Sequence, residues 1–511
     1  MNTTILSSNL QVNPDHVIAS TIGPNAFAGD FLVVPSYCEG FKQIGSPRYD
    51  SRQINVGTIT NENFVEFSEL TYTGKLRTDP CKELYCPKCG ARLHGNGVSY
   101  VRLKHITYGS TYQTLEVEVK RYRCSSEHCE YSCTEKIPFQ VGGHRITVAA
   151  YHEIYRLLET KGSKTSLKAL SFETGVDAKI IRAIDKQRLY DKYTENGEGK
   201  KLLPPRRQAR ILGVDEFLLH SLDRSDKFAT FIMDMETGEV LWVAHSKTKE
   251  AIREFARYVG TEWLKGVEAL ACDMNADFYE ALREFNPNIK QVFDHFHLVK
   301  NLNDKVITPT RIAIKDEMEK KADEKGLKAI TGSKYLLTSS RRRLKERDNI
   351  AENWKDEDAK EHLFNGVQKK APKGGRTERY QELLHLNEDL FVIDMLKDYL
   401  DEAYKCYSKG AMNAVILAAI DICEASANTH IQWFGKMLMN HLDGITNFGE
   451  FRLTSGKVEG TVRKIKFIRA LGFGYPDDDY FFLKIIDGTR KNPRKNGSVQ
   501  INVGSTILYS I

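Results

Sequence analysis

The stretch Ile211-Leu-Gly-Val-Asp215-Glu-Phe decides the fold of the central part of this 511-residue chain. Two further runs of β-branched and aromatic residues follow at 228–235 and 240–244, and the turn Glu236-Thr-Gly-Glu239 joins them. Such runs, separated by short connections, predict three consecutive strands. The first of these strands ends in the carboxylate of Asp215.

Downstream of these strands the pattern alternates between helix and strand. The spacing of apolar residues predicts, in this order, a helix over 249–264, a strand over 267–273, a helix over 278–285, a strand over 289–293 and a helix over 295–305. The order βββαβαβα is the one expected of a ribonuclease-H-like fold, a mixed α/β class in which acids on the first and fourth strands meet at the centre of the sheet. Because the fourth strand ends in Asp273, this carboxylate is expected to approach Asp215.

Two neighbouring carboxylates of this kind suit metal-assisted phosphoryl transfer. Two divalent cations held roughly 4 Å apart activate an attacking oxygen and neutralise a leaving one. Mg²⁺ takes oxygen ligands and keeps several waters, so a few Asp and Glu side chains suffice. An alternative stays open, because Asp at a strand end often hydrogen-bonds a loop, and either residue taken singly is more often structural.

A third acid is expected much later, in the segment Leu453-Thr-Ser-Gly-Lys-Val-Glu459-Gly. The apolar residues that follow continue at helical spacing, so Glu459 opens a helix. Arg463 and Lys466 share its side of that helix and could steady a DNA phosphate beside metal ions. The alternative is that Glu459 only compensates the helix dipole.

Two cysteine pairs precede the central segment. Cys86-Pro-Lys-Cys89-Gly forms a tight knuckle, and Cys124-Ser-Ser-Glu-His-Cys129 forms a wider one, with alternating apolar residues between them. Tetrahedral zinc needs four thiolates brought together by tight turns, so this pattern predicts a zinc ribbon with a structural Zn²⁺. Two alternatives stay open: four unligated thiols in a hairpin, and exchange of one ligand for Cys81, Cys133 or His128.

Residues 144–200 change to a helical period. Three helices are predicted, with Gly175 supplying the last turn and Asp177 capping the third helix. Many three-helix bundles share this pattern without binding DNA. In a helix-turn-helix domain, the third helix would expose four cations to phosphates and base edges: Lys179, Arg182, Lys186 and Arg188.

Composition excludes some classes of protein. Hydrophobic residues make up 41% and charged residues 28%, and no apolar run approaches the roughly 20 residues that a membrane helix requires. The first residues carry no secretory-signal pattern, so a cytoplasmic location without membrane partners is expected. The net charge of +6, from 74 basic and 68 acidic residues, is by itself a weak argument for a polyanionic partner.

Four motifs, taken in order, resemble the DDE transposases of the ISL-three insertion-sequence family over roughly residues 80 to 480. They are Cys86-Pro-Lys-Cys89-Gly, Gly213-Val-Asp215-Glu-Phe, Asp294-His-Phe-His297-Leu-Val-Lys300-Asn-Leu and Ser455-Gly-Lys-Val-Glu459-Gly-Thr-Val-Arg-Lys-Ile-Lys466. The resemblance implies a catalytic triad of Asp215, Asp273 and Glu459 that holds two Mg²⁺ or Mn²⁺ ions. It also implies supporting roles for Asp294 and His297. The sequence departs from the family at Ser455 and Val462, where Asn is common.

The resemblance further implies an enzyme that binds the terminal inverted repeats of a bacterial insertion sequence, cleaves the DNA ends and transfers the strands to target DNA. Two or more copies would act together on double-stranded DNA, in association with the nucleoid. A helical insertion would separate Asp273 from Glu459. Its charge runs, Arg341 to Arg343 and Lys369, Lys370, Lys373 and Arg376, could follow a DNA backbone or form solvated helix faces.

The resulting domain plan has seven parts: a loosely ordered lead-in (1–71), a zinc ribbon (72–140), a helix-turn-helix domain (144–200), the first part of a ribonuclease-H-like core (208–305), the helical insertion (306–440), the last part of the core (441–490) and a tail (491–511). Two other functions stay open. One is a catalytically idle, transposase-derived DNA-binding regulator, and the other is a ribonuclease-H-type nuclease acting on RNA in hybrids.

Overall fold

The computed structural model describes residues 38–43, 48–53, 64–76, 83–107, 111–220, 227–273, 276–355, 372–453 and 456–490. The chain divides into two compact units. Of the described residues, those up to 203 and those of 466–488 form the first unit, and those of 204–465 together with 489 and 490 form the second. Both units are mixtures of helix and sheet. Among the described helices, none is long and apolar enough to cross a membrane.

The first unit contains a six-stranded sheet. Its strands are β1 (Cys38–Gln43), β2 (Arg48–Gln53), β3 (Phe64–Leu76), β4 (Leu93–Lys104), β5 (Thr111–Cys124) and β6 (Ser132–Thr134). The central strand β5 pairs in parallel with β3 and antiparallel with β4 and β6. Leu115, Val117 and Val119 alternate along β5 and are fully buried on one face, which is the reason that this strand lies at the centre.

The lead-in was expected to be loosely ordered over residues 1–71, and this expectation is wrong where the structure describes the segment. Strands β1 and β2 lie within it, and β3 begins there. The strand β3 pairs with β5, beginning with Ser68 opposite Thr111. Ser68 and Thr111 are more than forty residues apart, so this pairing leaves no local period in the sequence.

Three helices follow in the first unit: α1 (Val148–Lys161), α2 (Leu167–Thr174) and α3 (Ala178–Tyr193). The predicted local features are confirmed. Gly175 ends α2 with a φ of 66°, and Asp177 accepts a hydrogen bond from the Lys179 backbone N–H at 2.7 Å. Gly175 also allows a close approach, since a Cβ there would lie 2.7 Å from the Tyr112 ring of β5.

The second unit is built on a five-stranded sheet with the order β11-β10-β7-β8-β9. Its strands are β7 (Ile211–Leu218), β8 (Phe228–Asp234), β9 (Val240–Ala244), β10 (Ala269–Cys272) and β11 (Lys290–Phe293). The strands β7, β10 and β11 are parallel to one another, whereas β8 is antiparallel to its two neighbours. This is the predicted succession of strands, with the first and fourth side by side.

Helices between these strands cover one face of the sheet. They are α4 (Lys249–Val259), α5 (Thr261–Leu264) and α6 (Ala276–Arg283), and a further helix, α7 (His295–Asn301), follows β11. Phe255 of α4 and Leu282 of α6 pack with Leu212 of β7 in one buried cluster. This apolar layer holds the parallel strands in place and leaves their carboxyl ends at one edge.

A helical segment then separates β11 from the last elements. After a π-helical turn (Leu302–Ile307), it consists of α8 (Thr308–Lys320), α9 (Glu324–Ile330), α10 (Lys334–Thr338), α11 (Arg341–Glu352), α12 (Arg376–Leu386), α13 (Glu388–Ala403), α14 (Lys409–Ala425) and α15 (Thr429–Asn440). Two short helices, α16 (Leu442–Thr446) and α17 (Phe448–Phe451), bring the chain back to the sheet. There Asn447 donates a 2.8 Å hydrogen bond from its amide nitrogen to the backbone oxygen of Gln291.

The last described helices are α18 (Gly456–Leu471) and α19 (Asp478–Thr489). Residues up to 465 belong to the second unit and residues 466–488 to the first. The predicted segment 441–490 is therefore shared between the units, and the seven-part domain plan stays a prediction.

Candidate active site

Three acids lie on or directly after neighbouring parallel strands. Asp215 lies within β7, which continues to Leu218 instead of ending at Asp215 as predicted, whereas Asp273 and Asp294 directly follow β10 and β11. Ala271 lies opposite Gly213, and Cys272 lies opposite Phe293. Continuing both registers places Asp273 level with Asp215 on one side and with Asp294 on the other. Adjacent strands are spaced about 4.8 Å apart, so the three acids form a row at one edge of the sheet.

This row opens into a cavity of about 280 Å³. Its lining comes mainly from β7, β10, β11, α7 and α18. It includes all five residues that the sequence analysis assigned to catalysis and its support: Asp215, Asp273, Asp294, His297 and Glu459. The cavity lining, taken from the described residues, holds four carboxylates and no lysine or arginine. Such an excess of negative charge calls for a cationic occupant.

Asp215 is half-buried at the floor of the cavity. Burial raises the pKa of its carboxyl, and the charge of Asp273 adds to the rise. The backbone N–H of Glu216, which donates to Asp215 Oδ1 at 2.8 Å, and the His297 side chain act in the opposite direction. On balance, the surrounding protein therefore disfavours the ionised form of Asp215.

A hydrogen bond with His297 holds the side chain of Asp273 in place. Nδ1 of His297 lies 3.0 Å from Oδ1 of Asp273, and this hydrogen bond is the main reason that the pKa of His297 is raised. Asp294 caps α7 by accepting a 3.2 Å hydrogen bond from the Phe296 N–H, which places His297 on the first turn of the helix. The motif Asp294-His-Phe-His297 thus orients Asp273.

Glu459 reaches the cavity from the first turn of α18. Its Oε1 lies 2.5 Å from Nη2 of Arg463, one turn later on the same helix, and both side chains are largely exposed. Val462, one of the departures from the family pattern, lines the cavity as an apolar wall. Ser455, the other departure, lies outside the described residues.

Sequence reasoning missed the residue that anchors the start of α18. The ammonium group of Lys457 donates to the backbone oxygens of Met235 at 2.7 Å and Glu236 at 2.9 Å. These oxygens belong to the turn that follows β8. A lysine beside the predicted glutamate was visible in the sequence, but its carbonyl partners are more than 200 residues away.

The three predicted catalytic acids share the cavity, but their oxygen atoms do not all lie within 4.8 Å of one another. Among the described residues, only a set of cysteines places three or more candidate ligand atoms within 4.8 Å of one another. Glu459 pairs with Arg463.

That cysteine set is Cys86, Cys89, Cys124 and Cys129, as predicted. Its Sγ atoms lie 3.7 Å apart between Cys86 and Cys129 and 3.4 Å apart between Cys89 and Cys124. Four thiolates at about 2.3 Å from a tetrahedral zinc are separated by about 3.8 Å. The cluster could therefore hold one zinc ion.

Local turns build this cluster. The Gly90 N–H donates to the Cys86 oxygen at 2.9 Å with a φ of 73° at Gly90, and the Cys124 N–H donates to the Tyr131 oxygen at 2.9 Å. Cys133 pairs with Tyr122 in the sheet and is not part of the set. His128 is not part of it either, and Cys81 lies outside the described residues.

The basic face predicted for α3 is only partly exposed. Lys179 is exposed. Arg182 is half-buried with its guanidinium 5.5 Å from the centre of the Tyr480 ring, and Lys186 forms a 2.6 Å ion pair with Asp477. These partners come from the segment 466–488, which lies in the same compact unit.

The expectation that Arg188 is exposed is wrong. Its side chain is 0% accessible and binds Asp185 at 2.8 Å, Asp487 at 2.9 Å and Glu159. Burial alone would raise the pKa of Asp487, but Arg188 and Lys192 lower it below its usual range. A buried arginine needs such acids, and they come from α1 and α19 as well as from α3.

Comparison with known proteins agrees with this architecture. Residues 212–485 match the family model described as transposase, and this match covers more than half of the chain. The chain therefore belongs to this family of transposases. More narrowly, the family is the ISL-three group. The chain is 26% identical over 412 residues to the transposase for insertion sequence element IS1001 of Bordetella parapertussis. The aligned region covers 79% of this chain and 88% of that protein.

Proposed function

We propose that this chain is a DDE transposase that binds the terminal inverted repeats of its insertion sequence, cleaves the DNA at the ends and joins the freed strands to target DNA. One observation carries the proposal: Asp215, Asp273 and Glu459, from three distant segments, line a single cavity that holds no lysine or arginine among its described lining residues. Membership in the transposase family agrees with it. The order of the second unit's strands supports a ribonuclease-H-like core.

The donor set fits hard divalent cations, because it consists of carboxylate oxygens beside an open cavity. Asp215, Asp273 and Glu459 would hold them. When bound, two Mg²⁺ or Mn²⁺ ions activate the attacking oxygen and neutralise the leaving oxygen of a phosphodiester. His297 keeps Asp273 in position, and Glu459, which pairs with Arg463, would supply the third carboxylate.

DNA recognition is assigned to the first unit. The four thiolates of the cysteine set would bind a structural Zn²⁺, and α2 and α3 would act as the helix-turn-helix, with Lys179 exposed at the start of α3. Arg463 and Lys466 are exposed on α18 and would contact DNA phosphates. Since strand transfer needs both ends of the element, two or more copies would act together.

Cleavage of a labelled duplex carrying the element end, in Mg²⁺ or Mn²⁺, tests the proposal. Glu459→Gln removes one negative charge while keeping the side-chain shape. We expect it to abolish cleavage and to leave binding to the end nearly unchanged. Glu254→Gln is the matched control, because Glu254 is exposed on α4 and does not line the cavity.

Two other outcomes separate the rival functions. End binding by the wild-type chain without cleavage in either metal would assign it to a DNA-binding regulator. Cleavage of an RNA–DNA hybrid in preference to the duplex end would assign it to a ribonuclease-H-type nuclease.

A further inference from the structure

Three arginines surround one tyrosine in the helical segment between β11 and α16. The guanidinium carbons of Arg343 and Arg376 lie 5.9 Å and 5.6 Å from the centre of the Tyr335 ring. Burial by itself would raise the pKa of Tyr335, but a hydrogen bond with Ser339 and the charges of Arg343, Arg347 and Arg376 lower it. We name Arg343, Arg347 and Arg376 the arginine cluster.

The fold fixes the arrangement of this cluster. Arg343 and Arg347 are one turn apart on α11 and so share a face of that helix. Arg376 begins α12. Asp348, on α11, accepts the backbone N–H groups of Arg376 at 2.9 Å and Thr377 at 2.7 Å, which ties the start of α12 to α11. The third arginine is therefore held beside the first two by a buried cap.

Neighbouring arginines on the same helix are neutralised, whereas the cluster is not. Arg341 pairs with Asp394 and, at 3.0 Å, with Asp398. Arg342 pairs with Glu346 at 3.3 Å. Within the part of the chain that the structure describes, no member of the arginine cluster forms an ion pair with a carboxylate. Asp348 adds negative charge nearby, but its oxygens are engaged by the cap of α12.

Cation–π packing on the Tyr335 ring does not explain why three guanidinium groups gather at this place. Both measured ring distances lie near the limit of about 6 Å for a cation–π contact, and one arginine would satisfy the ring. Tyr335 is 41% exposed, and Arg343 and Arg347 are exposed as well, so the cluster faces solvent. Three like charges held together repel one another, and the repulsion is relieved by a polyanion.

We infer that the arginine cluster is a binding site for the phosphodiester backbone of double-stranded DNA, separate from the catalytic cavity. Guanidinium groups match phosphate oxygens through paired hydrogen bonds, and duplex DNA presents one charge per about 1.7 Å of its length. The choice of DNA as the polyanion rests on the proposed function. Because phosphate contacts carry no sequence information, the site adds affinity for any duplex.

Fluorescence anisotropy with two duplexes, one carrying the element end and one with scrambled sequence, tests this inference across a range of salt concentrations. Arg343→Gln combined with Arg347→Gln removes two exposed charges from the cluster. If each neutralises one phosphate, the slope of log K against log salt falls by about 1.8 and affinity falls roughly 30-fold at about 0.15 M salt. The two duplexes should lose affinity equally.

The matched control is Arg342→Gln combined with Lys345→Gln, which removes the same charge from α11 outside the cluster. We expect it to change slope and affinity little. Arg343→Lys combined with Arg347→Lys keeps the charge, so the slope should stay near that of the wild type. Equal effects of the cluster and control variants would overturn the inference, as would a wild-type chain that does not bind duplex DNA. A wild-type chain that binds DNA but never cleaves it would refute the proposed function alone.

Discussion

The Nδ1 of His297 lies 3.0 Å from Oδ1 of Asp273, across the gap between the first turn of α7 and the end of β10. The Asp273 side chain is 59% exposed, so burial contributes little to its placement. The strand brings the carboxylate to the sheet edge, and the histidine sets its orientation. The three-residue spacing from Asp294, which caps α7, places His297 on the first turn of the helix, within reach of Asp273.

His297→Ala should leave duplex binding intact and reduce metal-dependent cleavage by roughly 10- to 100-fold, the usual cost of losing a residue that orients a metal ligand. The Mg²⁺ concentration for half-maximal rate should rise. His297→Asn can place an amide N–H near the position of Nδ1, so it should recover part of the loss. A purely structural role for His297 would lower stability without moving the metal dependence.

Lys457→Met should slow cleavage by about 10- to 100-fold, because the first turn of α18 loses both bonds to the turn after β8 and Glu459 shifts. Lys457→Arg should restore much of the rate. Lys436→Met, an exposed lysine on α15, is the control. Single-turnover rates on a labelled element end give the comparison. An unchanged rate in Lys457→Met would show that the anchor does not position Glu459.

Cys124→Ser should lose the metal of the cysteine set, reducing zinc content from about one ion per chain to about none. It should also lower the melting temperature of the first unit, since zinc binding contributes to folding. Cys133→Ser should retain full zinc content, because Cys133 lies in β6 and outside the set. Zinc loss in Cys133→Ser, measured by metal analysis, would contradict this assignment.

Arg188→Met should lower the free energy of unfolding by about 3 to 5 kcal/mol, because it leaves buried acids without their main partner. The protein that remains folded should bind the element end normally. Lys179→Met should do the reverse, changing stability by less than about 0.5 kcal/mol while weakening binding to the end. Urea unfolding and anisotropy give the two readouts. Weaker DNA binding by stable, folded Arg188→Met would contradict the burial of Arg188.

Features governed by local chemistry could be predicted from the sequence. The cysteine knuckles need tight turns, so their spacing alone identified the four thiols that gather. The predicted cap at Asp177 accepts a hydrogen bond from a residue two positions later, Lys179. The succession of strands in the second unit followed from runs of apolar residues, which is why Asp215 and Asp273 were placed at neighbouring strand ends.

Only the tertiary structure decided which charged side chains are paired with distant segments of the chain. The run Arg341-Arg-Arg343 looks uniform in sequence, yet its first two members are neutralised by acids and the third faces Tyr335. Arg188 was expected at the surface but is buried, where it pairs with Asp487. This partner lies almost 300 residues later in the chain, so the sequence did not indicate the pairing. Residues that far apart in the chain produce no periodic pattern in the sequence from which their contact could be predicted. The sequence determines which residues carry a charge. Whether a charge is neutralised by an acid from a distant segment depends on which segments pack beside it in the folded chain.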